Sequence, residues 1–312
     1  SPTTDSDRPA LVASRYILGA ELGRGGVGRV FKAFDRDLGR NVALKVPLSW
    51  PIPDDEYQKF VQEAQATGQL EHPNIVPVYD IGRFETGEIY YTMKRVRSHS
   101  LRDVIDGLIR QSPDVVAEYG TTRLLSIFLQ VCLAVQYAHD RGVIHRDLKP
   151  DNIMLGEYGE VHVMDWGLAR VLQSRKVVTD LGLSGRGVRE QGQMLGTPSY
   201  MPPEQVKGQV DATTERSDVY SLGMILYELI TLKQPSTRKD VLATLMAVLT
   251  EPIVPPSAVA PQPVSEELDR IIMRALAKNP DDRWDSAKAL HDAVEKYLDG
   301  RNEREADRRV LD

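Results

Sequence analysis

HRDLKPDNIMLGEYGEVHVMDWG, running from His145 to Gly167, gathers a carboxylate, a lysine, an amide and a second carboxylate within twenty-three residues. Asp147 can orient a hydroxyl and accept its proton. Lys149, two residues on, can neutralise a negatively charged group in transit. Asn152 and Asp165 offer the amide and carboxylate oxygens that hard cations such as Mg2+ take as ligands. The alternative is a polar loop between a helix and a strand, with its charges merely solvated. The order H-R-D-L-K-P-x-N followed by D-x-G is too specific for that. It is the set that phosphoryl transfer from Mg·ATP to a hydroxyl requires.

Upstream, Leu22-Gly23-Arg24-Gly25-Gly26-Val27-Gly28-Arg29-Val30 fits G-x-G-x-x-G-x-V. Glycine lets a backbone approach phosphate oxygens closely. On its own the pattern is weak, because dinucleotide folds and ordinary turns produce it too. Two features argue against a dinucleotide fold. The residues after Gly28 alternate as a strand does, whereas a dinucleotide-binding glycine turn opens a helix. Val42-Ala43-Leu44-Lys45 then follows, so a hairpin carrying a phosphate lid leads into a lysine.

These motifs in this order resemble the catalytic, metal-binding and glycine-rich segments of eukaryotic-like serine/threonine protein kinases. HPNIVPVYDIG and GTPSYMPPEQ are most like the bacterial branch of that family. The resemblance runs from about Tyr16 to about Leu298. It implies an α+β, bilobal protein-kinase-like fold: an N-lobe of antiparallel sheet plus one regulatory helix at 14–95, and a mainly helical C-lobe at 96–299. Polar tails are expected at 1–13 and 300–312. The start at Ser1 suggests a piece of a longer protein, whose other segments could include a membrane anchor.

The resemblance also implies site residues. Lys45 holds the α- and β-phosphates and pairs with Glu63, in a helix expected over 54–70; Glu56 and Glu71 are weaker candidates. Leu22, Gly23, Gly25, Gly28, Val30, Ala43, Met93 and Met154 surround the nucleotide, with backbone groups of Lys94 and Val96 meeting the adenine edge. Lys94-Arg95 stands where an acidic-aromatic pair is common, and Ser100 and Asp103 are candidates for ribose contacts. Asp147 is the base or hydroxyl positioner, Lys149 the charge stabiliser, and Asn152 and Asp165 the metal ligands. Thr197, in Gly196-Thr-Pro-Ser-Tyr-Met-Pro-Pro-Glu204, favours Ser/Thr acceptors. Trp166 replaces the usual phenylalanine of D-F-G. Arg146 is the residue that reads an activation-loop phosphate, and Ser174, Thr179 and Ser184 are candidate acceptors on that loop. Glu204 is expected to pair with Arg283, and Asp218 to brace the catalytic loop.

The implied activity is transfer of the ATP γ-phosphoryl group to protein Ser/Thr hydroxyls, its own activation loop among them. ATP and Mg2+, with Mn2+ as a substitute, are the implied cofactors. Protein substrates, and a homodimer for autophosphorylation in trans, are the implied partners, in the cytoplasm.

Bulk properties agree. The 312 residues are enough for two lobes with substantial cores. A formal net charge of -6 gives no basic footprint for nucleic acid. Six dispersed His and one Cys speak against a structural zinc site. No run of eighteen apolar residues occurs, so no membrane contact is expected of this segment. Leu124, Leu125, Ile127, Phe128, Val131, Val135 and Ala138 predict a core helix over 123–140. Its Cys132 reads as a buried small hydrophobe, and 111–122 reads as a long loop.

Overall fold

The computed structural model describes residues 15–25, 28–166, 170–171, 197–209 and 212–311. Gly26, Gly167, Gly196 and the candidate acceptors Ser174, Thr179 and Ser184 lie outside the described residues. The chain divides into two units. One comprises Ser1–Glu71 and Val76–Arg97, the other His72–Ile75 and Ser98–Asp312.

The first unit is a five-stranded antiparallel sheet with one helix. Strands β1 (Tyr16–Arg24), β2 (Gly28–Asp35), β3 (Arg40–Pro47), β4 (Val78–Arg83) and β5 (Ile89–Lys94) lie in the order β1-β2-β3-β5-β4. Side chains alternate across a strand, and β3 uses both faces. Val42, Leu44 and Val46 enter a core with Tyr16, Ala33, Phe84 and Tyr90. Ala43 and Lys45 therefore face the other way. Val30 and Tyr91 are the cross-strand partners of Lys45, and Met93 is that of Ala43, so all five share one face of the sheet.

Helix α1 (Asp54–Gly68) opens on Asp54, Asp55 and Glu56, which suit the positive end of a helix dipole. Its buried stripe is Phe60, Glu63, Ala64 and Thr67, at the three- and four-residue spacing of one helical face. Glu63 is the charged member of that stripe.

The second unit is mainly helical. Strand β6 (Ser98–Ser100) leads into α2 (Leu101–Ile109), then come α3 (Pro113–Glu118), α4 (Thr121–Asp140) and β7 (Val143–Ile144). Strands β8 (Ile153–Gly156), β9 (Val161–Val163) and β10 (Arg170–Val171) follow. The remaining helices are α5 (Pro203–Val206), α6 (Glu215–Thr231), α7 (Val241–Thr250), α8 (Glu266–Ala275) and α9 (Ala287–Leu311). Two small antiparallel sheets, β6-β8-β9 and β10-β7, carry the polar segments between them. The architecture is α+β, as the resemblance implied.

Helix α6 is the centre of this unit. It is buried on nearly every side, its first turn closed by a capping box between Thr214 and Ser217. Helix α4 is long and apolar enough to cross a membrane by length and composition, yet half of it is buried within its own unit. It packs there against α6 and α9. Its Cys132 is fully buried, and burial pushes the thiol well up, as suits an inert core residue.

The structure corrects two sequence expectations. The stretch read as a long loop contains α3, which starts with Pro113 at its first turn, where a missing N–H costs nothing. It is held by Tyr119, whose hydroxyl lies 2.7 Å from His99 Nε2. The polar stretch 300–312, read as a tail, instead continues α9 to Leu311.

Candidate active site

In the first unit, β3 and α1 bring Lys45 and Glu63 together. Lys45 Nζ is 2.5 Å from Glu63 Oε1, and the two residues are 7% and 2% exposed. Tyr91, from β5, donates its hydroxyl to the same carboxylate oxygen at 2.7 Å. Its ring packs on Phe60 at 5.2 Å, which ties α1 to the sheet. In sequence, nothing marks Tyr91 for this role beyond its place in a strand. Its register opposite Lys45 is the signal, visible only once the strands are paired.

The β1–β2 turn shows why glycine stands where it does. A Cβ on Gly28 would collide with the Val46 carbonyl of the neighbouring strand. Among the described residues, Gly23 and Gly25 have nothing within 4 Å of such an atom, so none of these neighbours requires glycine there. Backbone left bare without an internal reason suits close approach by an external anion. Leu22 lies near this turn, half exposed. At the end of β5, the Lys94 amide donates to the Pro77 carbonyl at 3.0 Å. Any contact from Lys94 to a base edge therefore falls to its carbonyl. Val96 lies beyond the ladder, partly buried.

Ser100 and Asp103 are otherwise engaged. They form the capping box of α2: Asp103 Oδ2 accepts from the Ser100 amide at 2.8 Å and its hydroxyl at 2.7 Å. Burial works against the Asp103 charge, but these bonds hold its carboxyl below the usual range. Met154 sits on β8 in the second unit, paired with Ser100 of β6.

The acid-base cluster is in the second unit. Asp147 Oδ1 accepts from the Thr197 amide at 2.9 Å and from its hydroxyl at 3.1 Å. Lys149 Nζ reaches Asp147 Oδ2 at 2.9 Å and Thr197 Oγ1 at 2.7 Å. Asn152 donates its amide to the Asp147 carbonyl at 2.9 Å, and lies only 3.5 Å from Oδ2. Asp147, Lys149, Asn152 and Thr197 thus form one bonded group, although Thr197 is fifty residues from Asp147.

Two residues of this region carry backbone strain. Arg146 and Asp165 both have left-handed backbones, with φ of 69° and 61°, a conformation that costs a non-glycine residue about 1 kcal/mol or more. Buried Asp218 of α6 pins the strained turn. Its carboxylate accepts the amides of His145 and Arg146 at 2.8 and 2.9 Å and takes His139 Nε2 at 2.7 Å. Burial opposes its charge, but the His139 bond and then the His145 amide hold the carboxyl below the usual range. His139 was not singled out in the sequence; a polar side chain on the apolar face of α4 was the available clue.

His145 Nδ1 takes the Asp147 amide at 3.3 Å, while Nε2 faces the Met164 carbonyl at 3.0 Å. That is the pattern of a ring protonated at Nε2. The ring also packs against Trp166, centroid to centroid 4.5 Å. Trp166 is 1% exposed, and its indole N–H meets no acceptor among the described residues.

A divalent cation suits the donors present. Asn152 spends its amide nitrogen on Asp147, which leaves the amide oxygen as its ligand atom, and Asp165 adds an exposed carboxylate. Both are the hard oxygens that Mg2+ takes. Lower in the unit, Arg283 forks onto Glu204 with two bonds of 2.8 Å, and the pair is buried. Arg283 and the Ser217 hydroxyl hold the Glu204 carboxyl down against its burial.

Sheet, helix and bonded carboxylate group together define a protein kinase domain. Residues 16–294 match the protein kinase domain family, and the chain belongs to it. Among its relatives, a probable serine/threonine-protein kinase of Streptomyces coelicolor is 36% identical over 299 residues, 94% of this chain and 41% of the relative. The serine/threonine-protein kinase PknD of Chlamydia abortus is 35% identical over 291 residues, covering 89% of this chain and 30% of PknD. PknD of Chlamydia muridarum is 36% identical over 309 residues, 93% of this chain and 32% of the relative. The chain therefore spans well under half the length of these curated relatives.

Proposed function

We propose that the chain is a serine/threonine kinase domain that moves the ATP γ-phosphoryl group onto Ser or Thr hydroxyls of proteins, its own activation loop included. The observation that carries this is the bonded group of Asp147, Lys149, Asn152 and Thr197. Similarity to serine/threonine kinases supports the choice of acceptor.

Asp147 positions the acceptor hydroxyl and takes its proton. Its Oδ1 already accepts twice from Thr197, so the hydroxyl approaches Oδ2, where Lys149 lies at 2.9 Å and the Asn152 amide only at 3.5 Å. The acceptor oxygen bonds to the γ-phosphorus as the bond to the bridging oxygen breaks, and ADP leaves. Lys149 offsets charge on the phosphoryl group in flight, and its bond to Thr197 keeps the ammonium beside Asp147. Lys45, held by Glu63, anchors the α- and β-phosphates under the glycine turn of Gly23, Gly25 and Gly28. Val30, Ala43 and Met93 offer the adenine an apolar face. Asn152 and Asp165 would hold Mg2+, or Mn2+ in its place, which would supply charge neutralisation for the phosphates. In keeping with the family, the setting is cytoplasmic, with homodimers for autophosphorylation in trans.

The test is intact and peptide mass spectrometry after incubation with Mg·ATP, for the wild type and Asp147→Asn. Phosphate is expected on the wild type alone, on serines or threonines including those of the segment 168–196. Nucleotide binding without any phosphate transfer, to itself or to acceptor proteins, would replace this reading with a nucleotide-binding scaffold.

A further inference from the structure

Arg102, in the first turn of α2, draws four separate chain segments together, and nothing in the transfer mechanism above uses it. Its guanidinium forks onto Glu228 of α6, with Nη1 to Oε1 at 2.9 Å and Nη2 to Oε2 at 3.0 Å. Nη2 also donates to the Tyr200 hydroxyl, and that hydroxyl donates in turn to Glu228. On its other edge, Nε lies 3.8 Å from Asp151, the residue before Asn152. Gln234 closes the group, donating to the Tyr200 hydroxyl at 2.8 Å and to Glu228 at 3.1 Å.

Tyr200 links this group to the chemistry. Its amide donates to the Thr197 carbonyl at 3.0 Å, and its own carbonyl takes the Ser221 hydroxyl at 2.9 Å. Thr197 is the residue bonded to both Asp147 and Lys149. Burial, and then the Glu228 charge, push the Tyr200 hydroxyl far above the usual tyrosine range, so it stays a proton donor. A bidentate arginine on a carboxylate is a rigid fork that a lysine cannot reproduce.

We propose that Arg102 is a positioning residue for phosphoryl transfer: it locks Tyr200 onto Glu228, and through Tyr200 it holds Thr197 against Asp147 and Lys149. This rests on the kinase reading. A merely structural arginine would stabilise α2 against α6 and leave turnover by the folded enzyme unchanged. A positioning arginine acts through Thr197, so losing both should cost no more turnover than losing Thr197 alone.

The experiment measures kcat, KM for ATP and melting temperature on the chain as it stands, with dephosphorylated casein as acceptor. The variants are Arg102→Met, Arg102→Lys, Thr197→Ala and the Arg102→Met/Thr197→Ala pair, with Asp147→Asn as the blank. Arg102→Met should lower kcat per folded molecule about tenfold while KM for ATP stays within about twofold, since misplacement at the reacting centre costs rate before nucleotide affinity. Arg102→Lys should recover part of that loss, which also guards against a methionine variant that folds poorly. The double variant should turn over no more slowly than Thr197→Ala. The inference is overturned if Arg102→Met changes only the melting temperature, or if the two losses multiply. A wild type no more active than Asp147→Asn would overturn the kinase reading, and this inference with it. An active wild type matched by Arg102→Met would remove the inference alone.

Discussion

Lys45 and Glu63 show what a buried charge demands of its neighbours. Each is almost wholly removed from water, and each has the other within 2.5 Å. Lys45→Met takes the ammonium away from the buried Glu63 carboxylate and should cost about 3 kcal/mol in urea unfolding, the usual penalty for removing one member of a buried pair. Lys45→Met/Glu63→Leu, which removes both charges, should recover much of that loss. A double variant as unstable as the single one would show that packing, not the stranded charge, sets the cost. Trp166 poses the reverse case, a buried N–H without an acceptor among the described residues. Trp166→Phe loses ring area but also relieves that N–H, so the two effects should offset and the change in unfolding free energy stay under about 1 kcal/mol. A large loss by thermal denaturation would mean the indole N–H is satisfied in solution.

At the scale of elements, capping explains residues that a functional reading would otherwise claim. Ser100 and Asp103 stand where a ribose contact is conceivable, yet both are committed to the start of α2. Ser100→Ala should destabilise the chain by about 1 kcal/mol, the usual worth of an N-cap hydroxyl, with no change in KM for ATP. A raised KM with unaltered melting would return Ser100 to the nucleotide. Glu63 was legible because the apolar spacing of α1 and the phrase around it in sequence agreed. Helix α3 was not, because a six-residue element carries too few turns for a periodic signal and has no buried residue of its own.

Across the whole molecule, carboxylates held low by their bonded partners set the response to acid. Glu204 with Arg283, Asp218 with His139 and Asp35 with Arg15 all hold their carboxyls below the usual range. A carboxyl lowered in the folded state adds stability that is complete above the unfolded carboxylate range. That stability drains away as pH falls through the lower folded values. Melting temperature should therefore hold near neutrality and drop steeply once pH enters and passes below the carboxylate range. Glu204→Gln should melt lower at neutral pH and show a shallower acid limb. An acid limb unchanged by that substitution would assign the effect to other groups.

The sequence by itself determined the fold class and the chemical inventory. Phosphoryl transfer needs a few fixed residue types at short spacings along one loop, and those spacings survive in one dimension as H-R-D-L-K-P-x-N and D-x-G. What only the tertiary structure decided is which distant side chains those residues bond. Tyr91 sharing Glu63 with Lys45, His139 meeting Asp218, and Arg102 joining Tyr200 to Glu228 are meetings across many residues of chain. Neither periodicity nor local propensity encodes them. They exist because strands pair in one register and α6 is buried at the centre of its unit, which brings polar groups into places where each must find a partner.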